Sequence, residues 1–100
     1  MATYMLLTRL SPTVMGDLKH RENIGREWFE TVKEKCPEVN WIGHYALLGP
    51  YDFLDIYEAP SEEVSAKVSM ITMSKGAVKA ETWNAIPYKK FLEITRELAQ

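Results

Sequence analysis

Two periodicities alternate along this chain. Residues 3–10, Thr-Tyr-Met-Leu-Leu-Thr-Arg-Leu, are mostly apolar or β-favouring and predict a first strand. Ser11-Pro12 then offers a helix cap and a proline suited to the first helical position. Gly16 interrupts that start, so the main helix is expected a turn or two later. From there Leu18, Gly25, Trp28, Phe29, Val32 and Cys36 fall near one helical face, with Glu22, Arg26, Glu30, Lys33 and Glu34 mostly off it. Gly25 in that stripe is expected to allow a close approach to a sheet, and Pro37 stops the helix. Residues 39–48 and 51–58 predict two further strands, and the turn signal Gly49-Pro50 between them makes an antiparallel hairpin.

Pro60-Ser61-Glu62-Glu63 opens a second helix, with Ser61 as cap and acids at the positive end of its dipole. Val64, Val68 and Ile71 form its expected buried stripe, and Met70 and Met73 are read as packing residues. Gly76 ends this helix in a left-handed conformation. Residues 77–85 predict a fourth strand, and Pro87 starts a last helix with Phe91, Leu92 and Leu98 on or near one face. The order β-α-β-β-α-β with a C-terminal helix is that of an α+β, ferredoxin-like fold, in which a four-stranded antiparallel sheet carries helices on one face. The other face also carries large apolar side chains, which a chain of 100 residues would expose. Pairing two such sheets face to face, as an eight-stranded α+β barrel with helices outside, removes the problem. A homodimer or higher oligomer is therefore expected.

Composition narrows the functional classes. One domain over residues 1–100 fits the length, and 26% charged residues against 46% hydrophobic ones exclude a disordered chain. A net charge of −2 with acids and bases interspersed argues against nucleic acid and against an anionic membrane surface. No apolar run approaches the ~18 residues of a membrane span. The Met-Ala-Thr-Tyr start carries no basic segment before an apolar one, and the lone Cys36 has no intrachain disulfide partner. A cytoplasmic location is the expectation.

The hairpin resembles a known family. Leu48-Gly49-Pro50-Tyr51-Asp52 is similar to the motif that names the GYD-domain proteins. The likeness continues through Ala2-Thr3-Tyr4, Ile56-Tyr57-Glu58-Ala59-Pro60, Gly76-Ala77-Val78-Lys79-Ala80-Glu81-Thr82 and a tail helix containing Phe91. The resemblance implies the dimeric α+β barrel fold and supplies no reaction. Gly49, Tyr51 and Asp52 are the motif residues. Their plainest role is structural, with Asp52 bonding turn amides and Tyr51 covering the turn or the dimer seam.

Candidate chemistry concentrates on the hairpin. An even connection centred on Gly49-Pro50 sets Ala46 opposite Phe53, His44 opposite Asp55 and Ile42 opposite Tyr57, all on one side of the sheet. Trp41, Tyr45, Leu47, Leu54 and Ile56 take the other side, which as the more apolar set is expected under the helices. The first set would then line the barrel cavity. A carboxylate beside a histidine fixes its tautomer and suits a general base, so His44 and Asp55 are the candidate catalytic pair; the competing readings are a structural ion pair and an unrelated solvent-facing histidine. Tyr57, Phe53, Trp83 and Tyr4 are candidate ligand-stacking residues, although aromatic residues serve more often in cores and interfaces. His20, among Lys19, Arg21 and Glu22, reads as a solvated residue. Cys36 at a helix C-terminus is not expected to be a nucleophile. No Cys/His metal spacing, Gly-rich phosphate loop or Gly-x-Ser-x-Gly occurs, so no metal and no cofactor is expected.

Three functions remain. The first is a dimeric barrel binding a small, partly aromatic metabolite. The second, by fold analogy, is a cofactor-independent or haem-linked monooxygenase. The third is an oligomerisation or regulatory module whose barrel is closed by Trp83, Tyr57 and Phe53. An open cavity of about 300 Å³ or more beside His44 and Asp55 favours the first two.

Overall fold

The computed structural model describes residues Met1–Gln100. The elements run β1 (Ala2–Leu10), α1 (Pro12–Met15), α2 (Arg21–Lys35), β2 (Asn40–Ala46), β3 (Phe53–Ala59), α3 (Glu62–Ser74), β4 (Ala77–Ala85) and α4 (Tyr88–Leu98). The four strands form one antiparallel sheet in the order β2-β3-β1-β4, the ferredoxin-like arrangement. The local signals explain most boundaries. The Ser11 hydroxyl accepts from the Val14 amide at 3.2 Å and Pro12 takes the first turn of α1, which Gly16 closes. Ser61 caps α3 through the Val64 amide. Gly76 follows α3 at φ 102° and sends the chain into β4.

Helices α2 and α3 cover one face of the sheet. Tyr4 and Leu6 of β1, Tyr57 and Ala59 of β3, Val32 of α2, Cys36 just beyond it, and Val64 and Val68 of α3 form the buried core between them. The stripe on α3 matches expectation and extends to Ser65 and Thr72, both buried. Three expectations fail here. Leu18 lies in the turn before α2 and is exposed, because that helix starts only at Arg21. Met70 is 70% exposed, since the inner face of α3 is already filled by Val68 and Thr72. A Cβ built on Gly25 would meet nothing within 4 Å, so this glycine leaves open space instead of a close helix–sheet contact.

The hairpin register holds and its faces reverse. The Leu47 amide donates to the Asp52 carbonyl at 2.8 Å, so the connection is a six-residue loop, longer than the tight turn expected. Ala46 pairs with Phe53 and His44 with Asp55. Beyond Gly43 the register shifts at Ile42, and Trp41 takes the place opposite Tyr57 that alternation assigns to Ile42. The bulge puts Trp41 on the same side as His44, and its ring contacts Trp28, Phe29 and Tyr57. His44, Phe53, Asp55 and Tyr57 therefore face the helices, against the expectation that they line a barrel. Leu54 and Ile56 take the uncovered face, with Tyr45 opposite Leu54 there and 55% exposed. Helix α4 packs little against the body and exposes Tyr88, Phe91, Ile94 and Leu98.

Candidate functional site

The helix side of the hairpin forms the floor of a cavity of about 550 Å³ between the sheet and α2. Its aromatic wall comes from Trp28 and Phe29 on α2, Trp41 on β2 and Phe53 on β3, and Thr8, Leu10 and Thr72 complete it. Sequence distance hides this grouping, because β1, α2, the hairpin and α3 each contribute. The Trp28 indole N–H donates to Thr72 Oγ1 at 2.9 Å, and that hydroxyl donates to the Val68 carbonyl at 2.7 Å. This chain fixes the indole and ties α2 to α3. Gly25 borders the same space, so the side chain it lacks is part of the cavity.

His44 and Asp55 meet on this floor. The pair is hydrogen-bonded between His44 Nδ1 and Asp55 Oδ1. Asp55 is buried at 3% exposure, whereas the His44 side chain is 61% exposed and stands at the cavity mouth. Burial lifts the Asp55 carboxyl above the usual carboxylate range, and the charge and hydrogen bond of His44 oppose that lift. The imidazole lies between two rings, stacked on Phe53 at 5.8 Å and on Trp28 at 6.1 Å. The Nδ1 bond to Asp55 leaves Nε2 as the ring nitrogen free for a ligand.

The four candidate stacking residues do not share a site. Phe53 lines the cavity. Tyr57 is fully buried, stacks on Tyr4 at 5.6 Å and shares a 2.7 Å hydrogen bond with the Ser65 hydroxyl. Burial raises its phenol pKa. Both tyrosines therefore belong to the core. Trp83 lies on the uncovered face, because its β1 partner Met5 alternates with Tyr4 and Leu6. Its indole donates to Glu81 Oε1 at 3.1 Å.

The motif residues have structural partners. Asp52 Oδ2 accepts the Leu10 amide at 2.8 Å, and the Asp52 amide donates to the Thr8 carbonyl at 2.8 Å. The side chain thus reaches β1, not the turn amides expected, and holds the hairpin loop beside a register shift between Arg9 and Leu10. The Tyr51 hydroxyl donates to the Glu81 carboxylate on β4. Its ring receives Lys79 at 5.6 Å, and Lys79 also pairs with Glu81 at 3.1 Å. Gly49 is an exposed loop residue. Cys36 is buried, and burial followed by the nearby Glu38 charge raises its thiol pKa. Arg21, which the sequence offered only as a neighbour of His20, is a wall of the cavity. Its position at the start of α2 was the only signal, and a weak one.

A crystal structure of a Thermus thermophilus protein superposes with a TM-score of 0.54 at 25% identity, covering 87% of this chain and 95% of that one. A hypothetical protein from Pyrococcus horikoshii gives 0.53 at 20% identity, over 87% and 92% of the two chains, and shows the fold. A curated Thermus thermophilus relative, named glutamine synthetase and cystathionine beta-lyase binding protein, is 41% identical over 49 residues. That match covers 49% of this chain and 52% of the relative, about half the length of each. The GYD domain model matches residues 4–95, nearly the whole chain, and the protein belongs to the GYD domain family.

Proposed function

We propose that this GYD domain binds a small, partly aromatic molecule in the cavity between α2 and the sheet, and that it does so as a homodimer paired through the uncovered sheet face. The observation that carries the reading is the cavity itself. Its volume of about 550 Å³ is within the range of small-molecule sites, and aromatic walls surround a few fixed polar groups, as such sites require. It lies under the helices and not inside a barrel, so ligand binding and sheet pairing use opposite faces and do not compete. The His44–Asp55 pair places a polar ring nitrogen, Nε2, at the mouth. No activated nucleophile stands beside it in this geometry, and the reading stays with binding.

Native mass spectrometry of freshly purified protein tests both parts, reporting subunit number and retained mass together. Gly25→Leu would add a side chain at the border of the cavity, where a new Cβ meets nothing within 4 Å. The expected result is a dimer that carries a small ligand as wild type and none as Gly25→Leu. Retained ligand in the filled variant would place it elsewhere and defeat the reading. A second reading draws on the curated relative's name and on the bare apolar side chains of α4, which suit a protein partner. Loss of partner capture on removal of α4, with ligand retention unchanged, would support it.

A further inference from the structure

The cavity contains one group whose chemistry its surroundings leave unanswered. Arg21 places its guanidinium carbon 5.1 Å from the centre of the Phe53 ring. Its Nε and Nη1 are buried, and neither meets a hydrogen-bond acceptor of the protein. A charged donor withdrawn from water without an acceptor is unfavourable, and the penalty is removed when an anion supplies one. The carboxylates on the same wall do not do so. Asp55 is engaged by His44, and Glu22, which also borders the cavity, pairs with Arg26 at 3.5 Å. Lys75 also borders the cavity and forms no ion pair, since the salt bridges of the chain are His20–Asp17, Arg26–Glu22, His44–Asp55 and Lys79–Glu81. The wall thus carries two cations without anionic partners.

The shape of the surrounding groups is as specific as their charge. The guanidinium lies over Phe53, Phe53 stacks on His44 at an interplanar angle of 11°, and His44 stacks on Trp28 at 24°. Flat groups therefore run in series from Arg21 through Phe53 and His44 to Trp28, and Gly25 borders the same space. Guanidinium selects planar oxyanions, and aromatic walls select flat apolar bodies.

We propose that the ligand of this cavity is a small aromatic carboxylate, its carboxylate held by Arg21 and its ring packed against Trp28 and Phe53. The proposal rests on the small-molecule reading above and adds the chemical class. It requires the acid to bind better than a neutral molecule of the same shape.

The test compares 2-naphthoate with 2-naphthamide, its neutral isostere, by protein-observed NMR titration of the full chain at constant salt. The comparison in wild type needs no variant. The acid is expected to bind at least tenfold more tightly than the amide, with the largest shifts at the indole N–H groups of Trp28 and Trp41. In Arg21→Gln the acid should fall to the affinity of the amide, and the amide should be unchanged. Lys75→Gln should keep most of the preference, and Gly25→Leu should abolish binding of both probes. Equal affinity for acid and amide in wild type would overturn the carboxylate class and leave the binding cavity standing. So would a preference that survives Arg21→Gln or disappears in Lys75→Gln. Binding of neither probe, together with no retained mass in the native spectrum, would overturn the proposal and the cavity reading alike.

Discussion

Asp52 joins two distant parts of the chain through its side chain and its backbone. Its carboxylate takes the Leu10 amide and its own amide reaches Thr8, so the loop is anchored to the end of β1. Asp52→Ala leaves the Leu10 amide unmatched and is expected to cost about 1–3 kcal/mol in urea unfolding. Asp52→Asn keeps an acceptor oxygen and should cost less; equal losses would assign the effect to charge and not to the hydrogen bond. Asp55 makes a different prediction, because burial raises its pKa above the ordinary 3.8. Such a carboxyl contributes stability that is full below the unfolded value and is lost as pH rises through the folded one. The stability of wild type relative to Asp55→Asn should therefore decline as pH is raised from about 4. A relative stability that climbs over that range would show that pairing with His44 outweighs burial.

Two glycines at helix boundaries and faces should respond to the same substitution with opposite signs. Gly25 sits within α2 with nothing within 4 Å of a new Cβ, so Gly25→Ala should stabilise by about 0.5–1 kcal/mol through helix propensity alone. Gly76 follows α3 at φ 102°, and a Cβ there would lie 3.0 Å from Val14 Cγ2. Gly76→Ala should destabilise by about 1–3 kcal/mol. Thermal melts of the two variants check both, and a shift of the same sign in each would contradict the account of one of them.

With α4 extending from the body, the molecule measures 57 × 30 × 18 Å. One sheet face is covered by α2 and α3. The other presents Met5, Leu54 and Ile56 with Trp83 half exposed, rimmed by the Tyr51–Glu81–Lys79 cluster. Exposed apolar patches on small proteins commonly serve as interfaces, and the homodimer proposed above would cover this one. Sedimentation equilibrium at micromolar concentration is expected to give about twice the 11.5 kDa chain mass. Ile56→Lys, on a strand inside the sheet, should halve the mass without altering the far-ultraviolet circular dichroism. A monomeric wild type would remove sheet pairing and leave the cavity on the helix side untouched. No helix is long and apolar enough to cross a membrane, so the apolar side chains of α4 do not mark a membrane-spanning helix.

The order of elements and the pairing of His44 with Asp55 were legible in the amino-acid pattern. Local chemistry suffices for both: period-two and period-3.6 patterns, the Ser11-Pro12 and Ser61 caps, the obligatory Gly76, and an even connection that sets partners across a hairpin. It did not determine which face of the sheet those partners occupy. Alternation fixes side chains only relative to one another, and here both faces carry large apolar groups, so counting them favoured Leu54 and Ile56 for the helix side. The bulge at Ile42 brought Trp41 over to join His44 and Phe53, and the hydroxyls of Ser65 and Thr72 made a partly polar face fit to bury. The roles of Arg21 and Gly25 were equally invisible, since a cavity exists only where α2 crosses strands that are remote in sequence. Tertiary structure decided these points because burial and enclosure belong to several elements at once, and no single stretch of chain encodes them.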